Sequence, residues 1–128
     1  MLSDHYGVSP LINFLIGSSK RRRLVDLHLK ISGTTGHGSL LHKNTAGEKA
    51  QYLINKFMER RAQEVKKLEN NPELTIGDVT TINLTRWSGG VQSNVVPPLL
   101  TVVFDVRLAI TEDHDAFVED VSAQLVHF

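Results

Sequence analysis

The sequence predicts an α+β fold: a two-layer split βαβ sandwich of the ferredoxin-like kind, running β-α-β-β-α with the closing strand missing. Three observations carry that expectation. Apolar and polar residues alternate with a period of two over 24–32 and again over 99–108. Apolar residues recur at spacings of three and four from Ala46 to Leu68. Between these, Val79 to Trp87 is crowded with β-branched residues (Val79, Thr80, Thr81, Ile82, Thr85), which suit a pleated, half-buried surface.

The elements follow in order. In strand one, Val25, Leu27, Leu29 and Ile31 share a face opposite Asp26, His28, Lys30 and Ser32. It ends in Gly33-Thr34-Thr35-Gly36-His37-Gly38-Ser39, a loop in which glycine lets the backbone approach a neighbour closely. Thr45-x-x-Glu48 has the form of a capping box, so Thr45 is the expected N-cap of a long helix. That helix carries Ala46, Ala50, Leu53, Ile54, Phe57, Met58, Ala62, Val65 and Leu68 as its apolar stripe and stops at Asn70-Asn71-Pro72. Strand two spans Val79 to Trp87, and Gly89-Gly90-Val91-Gln92-Ser93-Asn94 turns the chain. Pro97-Pro98 delays regular pairing until strand three, Leu99 to Leu108. There Leu100, Val102, Phe104, Val106 and Leu108 face the core, while Thr101, Val103, Asp105 and Arg107 face away. Glu112 and Asp113 open a second helix whose stripe is Phe117, Val118, Val121, Leu125 and Phe128.

Composition bounds what such a fold could do. With 128 residues, 41% of them hydrophobic, one domain with a core of its own is expected. Fourteen Lys and Arg balance fourteen Asp and Glu, which argues against a nucleic-acid or anionic-membrane partner, since both attractions need excess positive charge. The absence of cysteine excludes thiol nucleophiles and cysteine-based metal sites and is compatible with a reducing, cytoplasmic setting. The apolar run Leu11 to Ile16 is too short for a membrane span, and the basic run Lys20-Arg21-Arg22-Arg23 follows it, the reverse of a signal peptide. That basic run is expected to be a solvated linker. Residues 1–23 stay unassigned, and the domain is placed at 24–128.

The chemistry in view is sparse. His37 and His42 lack the spacing of a helical metal pair, and Gly33-x-x-Gly36-x-Gly38 lies a full loop ahead of the helix, too far for a phosphate loop. Flanked by Gly36 and Gly38, the His37 imidazole is left uncovered. On chemistry alone both a surface histidine and a functional one remain open, and so do turn or strand-face roles for Asn94 and Arg107.

Four stretches narrow the choice: Gly33-Thr34-Thr35-Gly36-His37-Gly38-Ser39, Asn44-Thr45-Ala46-Gly47-Glu48-Lys49, Gly89-Gly90-Val91-x-x-Asn94-Val95-Val96-Pro97 and Phe104-Asp105-x-Arg107. In that order they resemble the lid, or dimerisation, domain of the M20 metallopeptidases, and within them the aminoacylase-1 group. The resemblance implies an enzyme that hydrolyses N-acyl amino acids with two zinc ions held in a separate catalytic domain, so no cofactor and no metal ligand is expected in this chain. It implies that His37 reaches a partner subunit's active site to stabilise the tetrahedral oxyanion, that Asn94 contacts substrate, and that Arg107 is associated with the substrate carboxylate. The implied partners are a second copy of the lid, as a homodimer, and the zinc catalytic domain.

Two departures from the family shape the remaining expectations. Residues 1–23 match neither the catalytic domain nor its hinge, and no strand follows the second helix, so the chain is expected to be a C-terminally truncated fragment, inactive alone. Its strand one is expected to present a bare backbone edge and to self-associate through it. The alternative function is a free-standing interaction or ligand-sensing module on the same fold.

Overall fold

The computed structural model describes residues 2–9, 12–19 and 23–125. Two strands precede the first one predicted. β1 (Leu2–Ser9) and β2 (Ile12–Ser19) pair antiparallel from Leu2 opposite Ser18 to Ser9 opposite Ile12, with an irregularity between Gly7 and Ser9. β2 then runs antiparallel to β3 (Leu24–Ser32), the predicted strand one, from Ile12 opposite Ile31 to Ser19 opposite Leu24. This corrects the expectation of a bare edge, because the β3 backbone is paired from Leu24 to Ile31 on that side. It also gives the unassigned segment a place: β2 occupies the position beside β3 that the split βαβ pattern leaves to a closing strand.

The remaining elements are β4 (Gly36–His37), α1 (Ala46–Glu69), a 3₁₀ turn at Ile76–Asp78, β5 (Thr81–Ser88), β6 (Val95–Val96), β7 (Leu99–Arg107) and α2 (His114–Leu125). The main sheet has the order β1-β2-β3-β7-β5, every neighbouring pair antiparallel, and β4 and β6 form a separate two-residue ladder. The α+β two-layer architecture is thus the predicted one. Thr45 caps α1 as expected, in extended conformation with its hydroxyl accepting the Glu48 N–H at 3.2 Å.

Both helices lie on one face of the sheet. Val25, Leu27, Leu29 and Ile31 of β3 and Val102, Phe104 and Val106 of β7 are buried against Ala46, Ala50, Leu53 and Phe57 of α1 and Phe117, Val121 and Leu125 of α2. Phe57 and Phe104 meet at 4.6 Å between ring centroids, tilted by 36°. The lower half of the α1 stripe does not join this core, since Ala62 and Val65 are exposed and Leu68 is only partly covered. Length explains it: 24 residues of helix run about 36 Å, whereas a nine-residue strand covers about 30 Å. Phe128, assigned to the α2 stripe, and Lys20 to Arg22 of the basic run lie outside the described residues; Arg23 sits in a turn at φ +51°.

A polar tie fixes the entry to α2. The predicted start of strand two, Val79-Thr80, is buried but lies ahead of β5, where Thr80 serves as a junction. Its hydroxyl donates to the Glu112 carboxylate and accepts the Ala109 N–H at 3.0 Å. Arg60 of α1 bridges Glu112 at 3.6 Å and Asp120 of α2 at 2.7 Å, with its guanidinium over the Phe117 ring. Just upstream, the Thr75 N–H and hydroxyl both donate to Asp78, and these bonds hold its carboxyl below the usual carboxylate range.

Candidate functional site

The site is built where β3 leaves the sheet. Gly33 donates its N–H to the Pro98 carbonyl at 3.0 Å and lies against the start of α1, where an added Cβ would come within 2.2 Å of the Ala46 nitrogen. Only glycine permits that approach. The next N–H, of Thr34, goes to the Asn44 carbonyl at 3.0 Å, and Asn44 takes a left-handed conformation, φ +59°, tolerated by asparagine, to turn into the helix. Lys49, 5% exposed in the first turn of α1, sends its ammonium to the Ser32 carbonyl at 2.9 Å. Strand end and helix start are therefore tied together at three points.

From this base the short ladder projects His37. Gly36 pairs with Val96 and His37 with Val95, the Gly38 N–H reaches the Asn94 carbonyl at 2.7 Å, and the Thr35 hydroxyl reaches the Val96 carbonyl at 2.6 Å. The structure thereby brings two of the three predicted residues together: His37 and Asn94 are both exposed and share one end of the sheet. The imidazole is not free to swing. Its Nδ1 lies 2.7 Å from the Ser39 hydroxyl and 3.2 Å from the Ser39 N–H, while His42 donates from Nε2 to the His37 carbonyl at 2.8 Å.

Arg107 is not brought to this place. It is the last residue of β7, opposite Leu24 at the start of β3, whereas His37 follows the end of β3. Eight strand steps separate Leu99 from Arg107, about 26 Å. Arg107 makes a two-pronged bond to Asp105, at 3.0 and 3.1 Å, and that carboxylate holds the exposed guanidinium above its ordinary pKa, by hydrogen bonding first and charge second.

A third feature was absent from the sequence reading. An apolar groove of about 590 Å³ opens at the His37 end of the sheet, between Ala50 and Ile54 of α1 and Trp87 and Leu100 of the strands, and Trp87 is 70% exposed on the edge strand β5. A tryptophan in a β-rich stretch signals strand there, but not which side is covered. As for metals, His42 Nε2 is committed to a carbonyl and His37 Nδ1 to Ser39. Among the described residues, no three His, Asp or Glu side chains converge to hold an ion, so the donor set does not fit a zinc pair.

Residues 19–127, which include this ladder and the sheet that carries it, match the peptidase dimerisation domain model. This chain belongs to the M20 dimerisation-domain family. The match begins at Ser19, the last residue of β2, so most of the N-terminal strand pair lies outside it. Relatives include aminoacylase-1B of Rattus norvegicus, 39% identical over 92 residues, which are 72% of this chain and 22% of that protein. Aminoacylase-1 of Homo sapiens is 38% identical over the same shares. Aminoacylase-1 of Dictyostelium discoideum is 30% identical over 106 residues, 74% of this chain and 26% of that protein. The chain therefore spans about a quarter or less of the length of these relatives. No helix among the described residues is long and apolar enough to cross a membrane.

Proposed function

We propose that this M20 domain is the lid of a zinc-dependent amidohydrolase acting on N-acyl amino acids, and that His37 donates a hydrogen bond to the oxyanion forming in the active site of a partner subunit. The observation that carries this reading is the exposed His37 imidazole, held on its ladder one backbone hydrogen bond from Asn94. A donor fixed in advance stabilises developing charge without reorganising as the reaction proceeds. Asn94 contacts the same substrate, and the metal belongs to the catalytic domain that the lid serves.

Arg107 takes a different place in this scheme. About 26 Å of strand separates it from the His37 end, far more than an N-acyl amino acid spans, so one lid cannot offer both ends to one substrate. Arg107 then binds the substrate carboxylate in its own subunit's site while His37 serves the partner's. A second copy docks on the α1 and β5 side, where an unpaired strand edge, Trp87 and the apolar groove lie together.

The test is His37→Ala in a protein joining this lid to an M20 catalytic domain. Loss of one oxyanion donor should lower kcat by roughly a hundred- to a thousandfold, leave KM nearly unchanged and leave Tm at the parent value, since His37 is exposed. Parental turnover would refute the oxyanion role, and a large fall in Tm would make the histidine structural.

A further inference from the structure

We propose that Ser39 is a positioning residue that locks neutral His37 in the tautomer carrying its proton on Nε2. A backbone N–H can only donate. The Ser39 N–H points at His37 Nδ1 at 3.2 Å, so that nitrogen presents its lone pair. The Ser39 hydroxyl, 2.7 Å from the same atom, can rotate to donate as well. With Nδ1 occupied as an acceptor, the ring proton resides on Nε2, the atom at the far side of the imidazole from Ser39.

The loop also fixes the backbone from which the ring projects. The His42 ring lies so close over Gly36 that an added Cβ there would sit 2.5 Å from Cε1, and its Nε2–H clamps the His37 carbonyl at 2.8 Å. On the other side Gly38 is pinned to Asn94 at 2.7 Å. His37 thus has a fixed backbone and one ring nitrogen held by a residue two positions on, leaving Nε2–H as its outward donor. The catalytic use of that donor rests on the oxyanion reading above, but the tautomer itself does not.

The experiment records imidazole 15N spectra of the 128-residue chain at a pH where His37 is neutral, with His37→Gln assigning the signals. The parent should show protonated Nε2 and bare Nδ1. Ser39→Ala should raise the Nδ1–H form at least about twofold, a partial effect because the amide at position 39 remains, and Ser39→Thr should restore the parent pattern. A parent spectrum with Nδ1 protonated, or a folded Ser39→Ala variant with an unchanged spectrum, would overturn the proposal. Joined to a catalytic domain, Ser39→Ala should lower kcat roughly two- to tenfold at constant KM, the range of one ordinary hydrogen bond. The two readings fail separately. If the tautomer is locked while His37→Ala retains turnover, the oxyanion role is wrong and the lock stands; if His37→Ala abolishes turnover but the tautomers are mixed, the lock is wrong and the role stands.

Discussion

At Gly33 the site depends on the absence of a single carbon. Its Cα faces the first peptide of α1, and the atoms that a Cβ would strike, the Ala46 nitrogen at 2.2 Å and the Thr45 carbonyl carbon at 2.5 Å, are backbone and cannot rotate aside. Gly33→Ala should therefore push helix and strand apart, at a cost of about 1–3 kcal/mol or more, the usual range for overpacking. Urea unfolding would measure it, and a midpoint equal to the parent's would show that the junction can relax. At this scale the sequence was informative about His37, because glycines on both sides advertise an uncovered imidazole. It was silent about Ser39 and His42, whose parts are set by hydrogen bonds to His37 that spacing alone does not reveal. Lys49 escaped notice for a similar reason: a lysine in a first helical turn gives no sign that its ammonium will be taken by a strand-end carbonyl.

Among the elements, strands β3 and β7 were legible because the core-facing side of each is buried, so burial writes itself into a period of two, broken in β7 only by Val103, which is buried although it was expected to face away. The Leu11–Ile16 run gave no such signal. A short, nearly continuous apolar stretch fits a strand or a buried helix equally, and flanking turn residues are its only punctuation. Hence the β1–β2 pair was missed, and with it the covering of β3. That covering makes a prediction. Removing residues 1–19 should bare the β3 edge, nine residues of alternating sequence with strong strand preference, and promote association through it. Sedimentation velocity at rising concentration would show this as larger species in the shortened chain than in the parent; identical profiles would mean that the edge is protected by something other than β2. The α1 stripe teaches a related lesson. Its period was right over its whole length, but period reports which face is apolar, not how far the sheet beneath extends.

The molecule as a whole carries its candidate residues at two ends of one sheet. This too was open to inference from the sequence, since a strand three from Leu99 to Leu108 that runs antiparallel to strand one sets Arg107 beside the beginning of strand one, while His37 follows the end of strand one. The resemblance implied an oxyanion contact for His37 and substrate contacts for Asn94 and Arg107, and the geometry sets Arg107 at the opposite end of the sheet from the other two. In the proposed dimer that separation becomes a division of labour between subunits. It can be tested by mixing. In a lid joined to its catalytic domain, His37→Ala and Arg107→Ala should each inactivate the homodimer. If His37 serves the partner's site and Arg107 its own, a mixed dimer of the two variants contains one site with both residues intact and one with neither, so about half of the parental turnover per dimer should return. If both residues of one lid served one site, every site in the mixed dimer would lack one of them, and turnover that stays at the level of the single variants would contradict the account.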